Sequence, residues 1–123
     1  MIYSDRFSTA WLEYYAGAFR IAVNPKFWKK LDYRQKTFII CHEFLHLILG
    51  HWNVPGRYEK EWLNIAQDLQ VNEYLESHYP ELSLGINFDG HATIKSVFKH
   101  HSNLVETGKN YLYYYDVLMR CLV

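Results

Sequence analysis

The sequence is short of cysteine, of charge imbalance and of long apolar runs, and each shortage removes a class of protein. Only Cys41 and Cys121 occur in 123 residues, and two lone cysteines make no disulfide framework. The opening "MIYSDRFSTAWLEYY" has neither the basic start nor the apolar centre of a signal peptide. Together these features lead us to expect a reducing, cytoplasmic setting. Thirteen basic residues balance thirteen acidic ones, and no block of like charge breaks the balance. The electrostatics therefore carry no footprint for nucleic acid or an anionic membrane, and neither is expected as a partner. No apolar run approaches the roughly 20 residues of a membrane span. Repeats, low-complexity tracts and long linkers are absent as well. What is there is oily: half the residues are hydrophobic and 18% aromatic. That composition excludes disorder and suits one domain over residues 1–123 with a real core.

Residues 9–23, "TAWLEYYAGAFRIAV", place aromatic and β-branched residues on both sides of Ala16-Gly17 and predict a β-hairpin, with Gly17 free to adopt positive φ. Pro25 in "NPKFWKKL" suits the first position of a short helix. Asp32, with Gln35 three residues on, forms a capping-box pattern. The helix it opens is expected from about Tyr33 to Leu49, ending at Gly50. "VPGRY" reads as a loop, and a second helix is expected from about Glu59 to Ser77. Residues 80–92 read as a long loop and "TIKSVFKHH" as a short helix. The final segment places Tyr111, Tyr115, Leu118 and Leu122 at helical spacing, a packing pattern.

The stretch "ICHEFLHLILGHWN" puts three histidines and a glutamate in an otherwise oily helix. His42 and His46 stand about 40° apart on one helical face, and Glu43 lies about 60° beyond His46. This is the H-E-x-x-H arrangement of zinc hydrolases. Neutral imidazoles bind Zn²⁺ and leave a position for water, while the adjacent carboxylate is placed to move a proton. Phe38, Ile39, Ile40, Phe44, Leu45 and Ile48 surround these groups on nearly every side, so the helix reads as buried. Burying two histidines and a glutamate there without a partner would cost several kcal/mol. A metal offsets that cost better than backbone carbonyls would.

A third ligand must come from elsewhere. His51 is near in sequence, but a continued helix would point it about 140° away from His46; only a turn at Gly50 would bring it back. In "EWLNIAQDLQVNEYL", Asn64, Asp68 and Asn72 form one polar line flanked by Ile65, Leu69, Val71 and Leu75. Gln67, Gln70 and Glu73 fall on another face, expected to be solvated. An aspartate among aliphatic residues needs a cation or several donors. Asp68 is therefore the expected third ligand, with His51 in reserve and an ordinary hydrogen-bonded aspartate as the competing explanation. Asn64 and Asn72, one turn either side, are candidates for orienting ligands or binding substrate.

"NPKFW", "HEFLHLILGH" and "EWLNIAQDLQVNEYL", in that order, resemble the metallopeptidase domain found N-terminal to von Willebrand factor A-like domains, a zincin-like group. The likeness runs over roughly residues 9–76, with Trp62, Asn64-Ile65-Ala66, Asp68 and Asn72 matching the family's second helix. Leu63 intervenes where the family joins Trp directly to Asn, a minor departure. The resemblance implies a zinc-dependent peptidase with His42, His46 and Asp68 around the metal and Glu43 as base; a histidine also recurs in the family at the position of His51. No second domain of that kind is expected within these 123 residues, so partners acting through it are not carried over.

These readings converge on one α+β domain: a small antiparallel sheet packed on the H-E-x-x-H helix, with a second helix supplying Asp68. The expected reaction is hydrolysis of a peptide bond in a protein or peptide substrate. A tetrahedral oxyanion needs a donor, for which His51, Tyr58, Tyr74 and His91 are candidates. The hairpin is a candidate edge on which an extended peptide pairs. His100 and His101 read as surface residues. The alternative is a non-catalytic, zinc-stabilised binding or regulatory module with the same ligands. A DNA-associated protease of the SprT-like kind would need a basic region that this sequence lacks.

Overall fold

A computed structural model of the chain describes residues 1–52, 54, 56–86 and 91–122. Its architecture is mixed α+β: a three-stranded sheet and several helices. The chain divides into two compact units, residues 1–52 and 53–123.

In the first unit the hairpin forms where the sequence predicts it. Strands β2 (Ala10–Tyr15) and β3 (Ala18–Val23) pair antiparallel, from Ala10 opposite Val23 to Tyr15 opposite Ala18. The two-residue turn has positive φ at both Ala16 (52°) and Gly17 (85°). That combination marks the turn whose twist matches the strands, and it is unfavourable for the alanine. Strand β1 (Ile2–Tyr3) adds to the far side of β3 in parallel. The sheet is therefore mixed rather than purely antiparallel. Helix α1 (Pro25–Lys29) is capped by the Asn24 side chain, which accepts from the amides of Lys26 and Phe27, with Pro25 at its start as expected.

Helix α2 (Tyr33–Ile48) begins at a complete capping box: Asp32 Oδ1 accepts from the Gln35 amide, and Gln35 Oε1 accepts from the Asp32 amide. Such a cap contributes about 1 kcal/mol. Gly50, at φ 73°, turns the chain just past the helix end. Ala22, Val23, Trp28, Phe38 and Ile39 supply buried apolar side chains in this unit, and α2 packs beside β2. The helix is not enclosed all round, however. Phe44 and Ile48 are 52% and 72% exposed, so one oily stripe of a helix expected to be buried faces out. The apolar pattern had more hydrophobic positions than this fold has core to bury them in.

The second unit is built on α3 (Lys60–His78), followed by α4 (Pro80–Ser83), α5 (Ile94–Phe98), a 3₁₀ turn (Lys99–Leu104) and α6 (Tyr111–Leu122). Helix α4 occupies the start of the expected 80–92 loop. Residues 87–90 of that loop, residue 55 of the expected 54–58 loop and residue 53 before it lie outside the described residues, as does the side chain of Leu122. Thr93 and Ser96 make a second capping box at the head of α5. Cys41 is half-buried and Cys121 exposed, both as free thiols.

The core here joins Ala66 and Leu69 of α3 to Ala92, Phe98, Val105, Tyr114 and Leu118. Tyr114 is its central member and fully buried. Of the stripe that the sequence suggests, Leu118 is buried in this core and Tyr111 and Tyr115 pack half-buried against it, while the fully enclosed tyrosine is the neighbouring Tyr114.

Gln67, Gln70 and Glu73 overturn the expectation of a solvated face on α3. Gln67 is buried, Gln70 Oε1 accepts from the Tyr111 amide at 3.0 Å, and Glu73 accepts from both the Gly108 amide and the Tyr114 hydroxyl. These side chains satisfy donors at the head of α6 and in the loop before it, a role that no local pattern announces.

Burial first, and then the hydrogen bond to the Glu73 carboxylate, push the Tyr114 phenol above its ordinary pKa. A group raised in the folded state contributes stability in full below its unfolded value, about pH 10, and loses it as pH climbs towards the folded value. Urea midpoints measured at about pH 9 and pH 11 are expected to fall less steeply for Tyr114→Phe than for the unaltered chain. Equal slopes would show that this phenol does not govern the alkaline loss.

Candidate metal centre

On α2, the i, i+4 spacing brings His42 and His46 face to edge, with ring centroids 4.7 Å apart and planes at 76°. Their Nε2 atoms lie 3.0 Å from one another. Phe38, one turn earlier, flanks His42 at 6.1 Å between rings. Glu43 is buried, at 8% exposure, between the two histidines in sequence.

His51 returns to this cluster. With Gly50 in the left-handed region, the His51 amide donates to the His46 carbonyl at 2.9 Å. The ring is 7% exposed, and its Nδ1 lies 2.9 Å from Nδ1 of His46. His46 thus presents its two ring nitrogens to two different histidines, Nε2 to His42 and Nδ1 to His51.

On α3, Asp68 is half-buried, Asn64 is exposed and Asn72 is buried. Asn72 Nδ2 donates to the Ala92 carbonyl at 2.7 Å, so at least one of its bonds ties α3 to the chain ahead of α5. Among the oxyanion candidates, Tyr58 packs edge-on against Tyr115 at 4.9 Å and accepts from Arg57. Tyr74 is exposed and stacks on His78 at 4.0 Å. His91 is half-buried. His100 and His101 are exposed, as expected.

Among the described residues, one group of histidine, cysteine, aspartate and glutamate side chains could hold a metal ion: His42, His46 and Asp68. Each offers one ligand atom, these atoms all lie within 4.8 Å of one another, and all three residues are half-buried. The donor set fits. Two imidazole nitrogens on a tetrahedral Zn²⁺, each about 2.0–2.1 Å from it, stand roughly 3.3 Å apart, close to the separation of the two Nε2 atoms. Two neutral imidazoles and one carboxylate are also a combination found in catalytic zinc sites, which use three protein ligands. His51 is not a member of that group; its Nδ1 lies against Nδ1 of His46. Among the described residues, no helix is long and apolar enough to cross a membrane.

A family model described as "Putative metallopeptidase domain" matches residues 14–111. No curated protein and no solved structure matches the chain. The matched span contains β3, α2, α3 and the three residues that could hold a metal ion.

Proposed function

Since the chain belongs to this family of metallopeptidase domains, we propose that it is a zinc-dependent peptidase of zincin-like, single-domain organisation that hydrolyses peptide bonds in a protein or peptide substrate. The observation that supports this best is the convergence of ligand atoms from His42, His46 and Asp68, with Glu43 next to the first of them on the same helix. In this reading His42, His46 and Asp68 hold the ion. When bound, the ion supplies a Lewis acid for the scissile carbonyl and lowers the pKa of water to about 7.

The protein's own groups do the rest. Glu43 takes the proton of the attacking water and passes it to the leaving amine. Its burial keeps bulk water from competing for that proton, and the rigid helix holds it in reach. Strand β2 lies at the edge of the sheet order β1–β3–β2, so an extended substrate can pair with it through main-chain hydrogen bonds. Tyr58, Tyr74 and His91 remain the candidates for steadying the oxyanion. Asn64 and Asn72 are proposed to support the ligands or the substrate from α3. The cytoplasm is the proposed compartment, on cysteine usage.

Metal analysis of the purified chain, followed by incubation with a mixed peptide library, tests the reading. The expected result is about one zinc per chain, cleavage that stops on chelation, and recovery with added Zn²⁺. A chain that binds zinc and a protein partner tightly but cleaves nothing, even at full zinc loading, would instead be a zinc-stabilised binding module.

A further inference from the structure

We propose that His51 is a positioning residue that selects the metal-binding tautomer of His46 and is not itself a ligand; this rests on the metal-site reading above. A neutral imidazole carries a single ring hydrogen, so a histidine that ligates through Nε2 must carry that hydrogen on Nδ1. The partner at Nδ1 therefore has to accept. His46 turns Nε2 to His42 and Nδ1 to His51 Nδ1, 2.9 Å away. A single hydrogen lies between those two Nδ1 atoms. With it on His46, His51 accepts through a bare Nδ1 and keeps its own hydrogen on Nε2. Ligating histidines commonly engage a carboxylate or carbonyl in this way; here a second imidazole has that place.

Local structure explains how His51 gets there. The helix ends at Leu49, Gly50 adopts φ 73°, and the chain doubles back so that the His51 amide caps the His46 carbonyl at 2.9 Å. The backbone bond alone already fixes the turn. The ring is nonetheless 93% buried, at 7% exposure, and is aimed at His46 with ring centroids 5.1 Å apart. A ring placed only to close the turn would not need a nitrogen facing His46 Nδ1. A ring placed to ligate would turn that nitrogen to the ion, and His51 stands outside the group formed by His42, His46 and Asp68.

Two variants and one spectrum test this. Affinity for Zn²⁺ and Co²⁺ is measured by chelator competition for the unaltered chain, His51→Leu and His51→Asn. Leucine fills space without accepting, and the metal dissociation constant is expected to rise about 10–100-fold. Asparagine can present Oδ1 close to where Nδ1 stood and is expected to hold affinity within about threefold of the unaltered chain. The visible absorption of bound Co²⁺ is expected to be the same in all three, because the ligand set is unchanged. If His51→Leu does not fold, the tautomer assignment on the unaltered chain decides. Independently, ¹⁵N-edited NMR of the zinc-loaded unaltered chain is expected to show His46 protonated at Nδ1 and His51 protonated at Nε2 only.

Unchanged affinity in His51→Leu, or the reverse tautomers, would overturn the positioning role. A Co²⁺ spectrum altered in both variants would make His51 a ligand and overturn it equally. An unaltered chain that binds neither Zn²⁺ nor Co²⁺ would instead remove the metal site itself, and the role of His51 with it.

Discussion

Glu43→Gln is expected to keep its metal and lose peptide cleavage by about 10²–10⁴-fold, the usual contribution of a positioned acid–base group. That range corresponds to about 3–5 kcal/mol of transition-state stabilisation. The substitution is nearly isosteric, so the packing of a side chain that is 8% exposed is preserved. Glutamine keeps one carbonyl acceptor in the place of the carboxylate, so the thermal midpoint is expected to stay close to that of the unaltered chain. The combination is diagnostic: metal content and stability measured on the same sample stay level, while turnover of a defined peptide falls. A loss confined to kcat would place the effect in the chemical step and not in substrate binding. Equal turnover in the variant and the unaltered chain would deny Glu43 the role of base. An unaltered chain that turns over nothing favours the binding-module alternative, in which Glu43 has no chemical task.

How much of this was legible beforehand depended on how local each interaction is. The capping box of Asp32 and Gln35 spans four residues, and the Ala16-Gly17 turn spans two, so both could be read from the chain. The pairing of His42 and His46 is a property of a single helix and its 3.6-residue period, and it was equally plain. His51 was ambiguous, because its direction depends on the sign of φ at one glycine. Gly50 permits the reversal that brings His51 onto His46 but does not require it.

Strand β1 went unseen for a related reason. Two residues carry no alternation, and Ile2–Tyr3 is a strand only because β3 lies beside it. The polar face of α3 misled more directly. Gln70 and Glu73 look like solvated residues, yet their partners are donors 41 and 35 residues further along the chain. Side-chain acceptors that serve distant backbone amides leave no periodic signal, and so the buried Gln67 and the half-buried Gln70 and Glu73 look like surface residues in the sequence. The same reasoning explains Tyr114. Several adjacent tyrosines offer more than one helical stripe, and only the position of Glu73 and of the loop before α6 decides which tyrosine is enclosed.

Asp68 carries the second large effect, because a ligand 22 residues beyond the last histidine of the motif is the least local part of the proposed site. Asp68→Ala is expected to weaken zinc binding by about 10²–10⁴-fold, taking a quarter to a third of the roughly 10–16 kcal/mol with which protein sites hold zinc. Alanine also removes any hydrogen bonds this aspartate makes, so Asp68→Asn is the sharper comparison. Asparagine keeps the shape and one acceptor oxygen but gives up the negative charge, and a carboxylate is the harder and stronger ligand. If Asp68 ligates, both variants lose zinc, with asparagine intermediate, whatever either substitution does to the melting temperature of the metal-free protein. If Asp68 is only a hydrogen-bonded helix residue, zinc affinity holds in both variants and only the melting temperatures differ. Glu76→Ala supplies the control. It lies on α3 as well, is exposed and has no place in the proposed site, so it should leave zinc affinity and melting temperature close to those of the unaltered chain.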